Sequence, residues 1–337
     1  MIALALQAGS AMAAEPPAAC ADESDDRLRL ACYDKAYKRL KAGSEKVSDA
    51  QIESQVAASD SERESSVMLK TWELGLTDKR KTFVVRTYLP NFFLPMHYTS
   101  GINRAPYSPT QPAGAPKNDY LSAEAKLQIS LRTKVVEDLL LPGADLWVAY
   151  TQRSLWQIWD SADSAPFRST DYQPELIYVV PVPERIGNLP LGWKLRMLQL
   201  GFAHQSNGQS DPLSRSWNRI TMGAGFERGD FSVQVRGNQR LRLQGKDDNP
   251  EIADYIGRGE LNFGWLPGAS TFNLTWRTNL KSASRGSLQL DWTYPVFSDQ
   301  PTGLRWYVQL FDGFGETLLD YNHRQTSLGL GLTLFQF

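Results

Sequence analysis

The stretch Thr271-Phe272-Asn273-Leu274-Thr275-Trp276-Arg277-Thr278-Asn279-Leu280 alternates between two kinds of side chain. Phe272, Leu274 and Trp276 share one parity, while Thr271, Asn273, Thr275, Arg277 and Asn279 share the other. A strand turns successive side chains to opposite faces, so this segment has one apolar face and one of hydroxyl, amide and guanidinium groups. The division recurs in Leu288, Leu290, Trp292 and Tyr294 against Gln289, Asp291 and Thr293. It recurs again in Leu304, Trp306, Val308 and Leu310 against Arg305, Tyr307 and Gln309. Alternation by itself also suits a soluble sandwich. Large charged and amide groups on the polar face in strand after strand, with aromatics near strand ends and no helix pattern to cover the sheet, point instead to a barrel with lipid outside and water inside.

Working outward, segments of this kind bounded by Gly, Pro, Asn or Asp fall near 86–98, 122–133, 145–157, 174–182, 193–207, 214–227, 230–241, 254–265, 270–280, 286–296, 303–312 and 326–337. The expectation is an all-β fold: an antiparallel transmembrane β-barrel of about twelve strands over residues 81–337, preceded by a short helical extension. An even strand count and a terminal Phe337 suit a barrel of the bacterial outer membrane. The composition agrees. Mean hydropathy is −0.39, and no run approaches the ~18 apolar residues of a spanning helix, which excludes an α-helical membrane protein but not a barrel. A formal net charge of −1 gives no reason to expect a nucleic-acid partner.

Residues 1–13 read as a short apolar stretch ending in Ala11-Met12-Ala13, the small-x-small pattern of an export signal, without the usual basic start. Residues 14–80 read as a periplasmic extension and linker. Asp22 to about Leu40 has helical spacing in Leu28, Cys32, Ala36 and Leu40, and a Ser/Glu/Gln-rich run follows to about Glu64. Cys20 and Cys32 are the only cysteines, and export predicts that they form a disulfide.

The chemistry concentrates between Leu198 and Phe226. Leu198, Leu200, Phe202, His204 and Ser206 share one parity, so the imidazole and the hydroxyl lie on the lipid-facing side, with Cα atoms about 6.6–6.8 Å apart. Asn218 has the same parity in the next strand as Ile220 and Met222. A hairpin centred on Asp211-Pro212 sets Asn218 directly across from His204. That is a nucleophile, a base and an orienter. A neutral third member has a physical reason, because an ionised carboxylate on the lipid face is costly by up to a few kcal/mol, depending on depth. On spacing alone a second reading stands beside this one: an interfacial histidine with loop serines nearby.

The run His204-Gln205-Ser206-Asn207-Gly208-Gln209-Ser210-Asp211-Pro212-Leu213-Ser214-Arg215-Ser216-Trp217-Asn218-Arg219 resembles the active-site stretch of the outer-membrane phospholipase A family. So do Ala149-Tyr150-Thr151-Gln152 and Ser164-Ala165-Pro166-Phe167-Arg168. The resemblance covers roughly 80 to 337. It implies a twelve-stranded barrel whose outer surface carries Ser, His and Asn, hydrolysing phospholipid acyl esters when calcium and dimerisation switch it on. By position it makes Ser206 the nucleophile, His204 the base and then acid, Asn218 the orienter, and Gly208 a backbone donor to the oxyanion. For Ca2+ it implies the Ser214 hydroxyl, the Gln209 carbonyl and the Ser164 hydroxyl of the partner subunit. Gln209 stands where the family usually has Arg; a backbone carbonyl is indifferent to that change. Few carboxylates at such a site imply weak, hydrated calcium.

Gln152 shares parity with Leu146, Val148 and Tyr150, so an amide interrupts a lipid-facing row. Left unpaired it costs a few kcal/mol, on the order of a lost buried hydrogen bond, and pairing across a homodimer recovers part of this. His97, beside Met96 and Tyr98, reads as interfacial, and His323 has no nucleophile on its strand. Arg236, Arg240 and Arg242 read as lumen or rim charges. Two alternatives remain: a non-enzymatic porin or structural barrel, and an omptin-like protease. The protease requires an acidic pair near a histidine, which the sequence does not bring together.

Overall fold

The computed structural model describes Cys20, Leu28, Arg29, Cys32, and residues 66–75, 77–113, 117, 119–162, 165–242 and 247–334. The chain divides into two units, 1–61 and 62–337. In the first, Cys20 and Cys32 form the expected disulfide, and the described residues are helical. The rest of that unit, and the export signal, lie outside the described residues.

The second unit is a sheet of thirteen strands: β1 (Arg86–Thr87), β2 (Asn91–Thr99), β3 (Ala123–Val136), β4 (Asp145–Trp156), β5 (Phe167–Pro181), β6 (Lys194–Ser206), β7 (Ser216–Arg228), β8 (Phe231–Leu241), β9 (Gly259–Trp265), β10 (Thr271–Thr278), β11 (Gly286–Pro295), β12 (Leu304–Phe314) and β13 (Arg324–Leu334). Every consecutive pair from β2 to β13 is antiparallel, and β13 returns to β2, so twelve strands close a barrel with no free edge. Two-residue β1 continues the β2 edge along β3 after an interruption at Pro90. The single first strand expected over 86–98 is therefore broken, because proline lacks the N–H that the ladder needs. β5 begins seven residues before its expected start, and 252–255 form a helical turn rather than the start of β9.

β3 shows what holds this fold. Glu124, Lys126, Gln128, Ser130, Arg132 and Lys134 are all buried, whereas Ile129 and Leu131 are exposed. The polar face points into the barrel and the apolar face outward, the inverse of a soluble sandwich. Phe231, Trp265 and Phe272 stack in series, with centroids 6.0 and 5.4 Å apart, at the end carrying the short turns 229–230 and 266–270. Such an aromatic row marks a membrane interface, and short turns mark the periplasmic side. The described residues of the longer loops 100–122, 242–258 and 315–323 lie at the opposite, outer end.

An apolar cluster packs at each end of the lumen. Helix Val67–Trp72 starts at Ser66, whose hydroxyl accepts the Leu69 N–H and donates to Glu227, while Glu227 accepts the Met68 N–H at 3.1 Å. Met68 and Trp72 pack against Trp147, Ile177, Val179 and Met197, and the Arg132 guanidinium lies 3.9 Å from the Trp72 ring. Helix Val67–Trp72, grouped with the extension on sequence grounds, thus packs into the periplasmic mouth. Trp217, Ile252, Leu318 and Tyr321 cluster beneath the outer loops, and a cavity of about 340 Å³ lined by Arg153, Asp171, Arg236 and Glu260 among others lies between the two clusters.

His97 is not interfacial. A bulge at Pro95 shifts the register of β2 on both sides, opposite Gly331, where any side chain would strike the Phe93 carbonyl. His97 is buried in the lumen, with Nε2 2.9 Å from Glu316 and Nδ1 3.7 Å from Glu124. An acidic pair does therefore flank a histidine, correcting the sequence reading. The Glu316 carboxylate is already shared with Lys126, Gln325 and Ser327, which makes the cluster part of the packed interior.

Candidate active site

β6 and β7 pair in the register expected from the hairpin: His204 opposes Asn218, and Ser206 opposes Ser216. The neighbours Leu198, Leu200, Phe202, Ile220 and Met222 are exposed on the outer surface, while Ala203, Trp217 and Arg219 turn inward. His204 Nδ1 lies 2.9 Å from Asn218 Oδ1. Because the amide oxygen can only accept, this contact puts the proton on Nδ1 and leaves Nε2 with its lone pair free to act as a base. Ser206 ends β6 on the same face, and Gly208 follows with φ of 64°. A side chain at Gly208 would be both strained in that left-handed conformation and pressed onto the Tyr172 ring, so the position suits glycine.

The loop 207–215 is held from within by Asn207, which the sequence reading did not single out. Its side-chain amide donates to Leu213 O at 2.7 Å, and its carbonyl oxygen accepts from Arg215 N at 2.9 Å and Gln209 N at 3.3 Å. An Asn before Gly is a turn signal, and that was the available clue. Buried Arg215 donates to Pro212 O and Ser214 O at 3.0 and 2.7 Å, and burial pushes its guanidinium below the usual range.

Two more loops converge here. Ser214 donates to Asp248 at 2.6 Å, and Gln111 Nε2 donates to Asp211 at 2.6 Å and to Asp248 at 2.9 Å. Asn249 accepts the Ser216 N–H at 3.1 Å. The rim is richer in carboxylates than expected, since Asp248 reaches it from a loop with no sequence pattern. Ser164 lies outside the described residues, and among the described residues no cluster of three His, Cys, Asp or Glu forms a metal cage. Ser214 Oγ and nearby carboxylate and carbonyl oxygens are nonetheless hard donors of the kind calcium takes.

Gln152 is outward-facing as expected, but its amide is not unpaired: it accepts from Tyr150 Oη at 3.2 Å and contacts Ser154 Oγ at 3.5 Å. Residues one strand pitch apart on one face can satisfy each other, so the energetic case for an interface there is weaker than the sequence implied. His323 Nε2 lies 2.7 Å from Gly101 O, a structural bond between loops.

Residues 68–334 match the family model described as Phospholipase A1. The chain belongs to this family of outer-membrane phospholipases. It is 36% identical to a putative phospholipase A1 of Neisseria meningitidis serogroup B, over 93% of this chain and 89% of that protein. It is 36% identical to phospholipase A1 of Escherichia coli K12, over 63% of this chain and 69% of that protein. Outer membrane phospholipase A from Escherichia coli superposes with a TM-score of 0.69 at 31% identity, covering 80% of this chain and 98% of that one. The calcium-bound dimer of the Salmonella typhi outer membrane phospholipase gives 0.66 at 33% identity, covering 75% and 92%. Like its family, this chain is an ester hydrolase built on a β-barrel of the bacterial outer membrane.

Proposed function

We propose that this phospholipase cleaves phospholipid acyl esters with Ser206, His204 and Asn218, in a calcium-dependent dimer. The observation that carries this reading is the 2.9 Å bond from His204 Nδ1 to Asn218, beside Ser206, on the barrel's outer surface. Ser206 Oγ attacks the ester carbonyl carbon as His204 Nε2 takes its proton. Negative charge develops on the carbonyl oxygen, where the Gly208 N–H donates. His204 returns the proton to the leaving lysophospholipid oxygen, and water then releases the acyl chain by the same base. Asn218 keeps the ring in the competent tautomer without a charge facing lipid.

Ser214, the Gln209 carbonyl and Ser164 of the partner subunit would hold calcium, with Asp248 adding negative charge beside Ser214. When bound, the ion supplies positive charge next to the developing oxyanion. The calcium-bound dimer of the Salmonella typhi relative supports this assembly; the seam we assign to it is the outward row of β4 around Gln152. We assign 1–13 to an export signal and 14–80 to a periplasmic extension whose last part packs into the barrel mouth; the Cys20–Cys32 disulfide supports export. The charged side chains packed inside the barrel and the apolar clusters at its two ends speak against the porin alternative.

The test is fatty-acid release from mixed micelles by purified full-length protein, with and without a chelator. Turnover should stop in Ser206→Ala and on chelation, while the heat-resistant barrel persists. Retained turnover in Ser206→Ala would sink the assignment of the nucleophile; turnover in chelator would sink the calcium requirement.

A further inference from the structure

We propose a second lipid site: a groove at the periplasmic end of the β6–β8 face that holds one phospholipid of the periplasmic leaflet, its acyl chain in the groove and its phosphate at Arg228. The turn 182–193 forms one wall with Leu189, Pro190 and Trp193, and Phe226, Val233 and Val235 form the floor of an open groove of about 410 Å³. The floor belongs to the outward rows of β7 and β8, where Phe226 pairs with Val233 and Ala224 with Val235. It is therefore continuous with the lipid-facing belt of Leu198, Leu200 and Met222. A chain lying here touches protein on two sides, whereas elsewhere on the belt it touches one.

The wall is a built structure. Leu189 N donates to Trp193 O at 2.9 Å, and Asn188 bridges to Lys194, closing the turn at its base. At its tip Leu191 takes φ of 61°, an unfavourable conformation for leucine, and its side chain is 81% exposed; Ile186 is 65% exposed. Neither leucine nor isoleucine gains contacts within the protein from this arrangement, and both gain them from hydrocarbon. Arg228 continues the outward row of Phe226, two residues toward the rim. Its Nε stands about 4.0 Å from the position of a Cβ on Gly192, which sets the guanidinium at the mouth of the groove. An apolar slot with a cation at its wet end is the complement of a phospholipid.

From Asn218 to Phe226 is eight residues along β7, roughly 27 Å of strand at ~3.4 Å each, which a tilt of about 35–45° turns into about 19–22 Å across the ~25 Å apolar band of such barrels. The groove thus lies in the leaflet opposite the catalytic residues and is a separate site.

The probe is an ether-linked phosphatidylethanolamine, which no esterase consumes, carrying a diazirine near the middle of one chain. Wild-type protein is inserted into vesicles of phosphatidylethanolamine and phosphatidylglycerol, irradiated and mapped by peptide mass spectrometry. Label should be several-fold richer on 183–197 and 226–236 than on the outward residues of 304–314. Val235→Trp, which fills the slot, should remove that excess and leave the label on 304–314 unchanged, and Arg228→Glu should lower it in a barrel whose core is untouched. Even labelling around the barrel, meaning annular lipid only, would overturn the proposal. So would an excess that survives both variants. Because hydrolysis is not read, failure here is distinct from failure of the catalytic assignment.

Discussion

Ser214 donates its hydroxyl hydrogen to the Asp248 carboxylate at 2.6 Å, joining the loop that follows the proposed nucleophile to one 34 residues further along the chain. If Ser214 ligates calcium, Asp248 orients that hydroxyl and adds charge. Asp248→Asn should then raise the calcium concentration needed for half-maximal turnover by on the order of tenfold, the usual effect of losing a partner behind a metal ligand. A calcium titration of fatty-acid release checks this, and an unchanged midpoint would make the contact merely structural.

Asn218→Ala should slow turnover without abolishing it, since nucleophile and base remain while the tautomer is no longer enforced. Residual rates compared with Ser206→Ala decide the matter: equal losses would mean that Asn218 does more than orient.

Glu316 receives Lys126 at 2.6 Å, His97 at 2.9 Å, Ser327 at 2.9 Å and Gln325 at 2.6 Å inside the barrel. Glu316→Gln leaves Lys126 as a buried charge without its counter-ion, a change worth about 3–5 kcal/mol. Urea unfolding in detergent should show the loss. The residues around Ser206 are untouched, so specific activity of the folded fraction should be preserved.

Asp254, in the outer loop 242–258, is held below the usual carboxylate range: burial pushes it up, but hydrogen bonds from Lys281 and Arg258 outweigh this. A depressed folded pKa means that the tie is fully present above the unfolded value of about 3.9 and is lost as pH falls through the folded one. Protection of the amides in 250–258, relative to their intrinsic exchange at each pH, should fall on acidification below about pH 4. In Asp254→Asn that loss of protection should be present already at neutral pH.

Much of the barrel follows from arithmetic of period two. Phe272, Leu274 and Trp276 sort from Thr271, Asn273 and Thr275 without knowledge of any other strand, because the pleat alone assigns the faces. His204 opposite Asn218 follows likewise from parity and a hairpin centred on Asp211, from which the two residues are equidistant. The family motif lies in that same hairpin, which is why the candidate site was legible in the linear chain.

What escaped the sequence depended on closure of the barrel and on side-chain choice. His97 and Glu316 are 219 residues apart and meet only because the ring of strands closes and a bulge at Pro95 resets the parity of β2. Asp248 reaches Ser214 from a loop with no periodicity, so nothing local announces it. Gln152 finds Tyr150 by a rotamer choice that parity cannot specify, and helix Val67–Trp72 finds the periplasmic mouth because Trp147, Ile177 and Met197 line it. The sequence by itself determined the face of strand residues wherever no bulge intervenes, and which residues stand opposite in the β6–β7 hairpin, because both are set by neighbours in the chain. The tertiary structure alone decided which charges meet in the lumen and which loops converge on Ser214, because those contacts exist only once distant segments share one enclosed space.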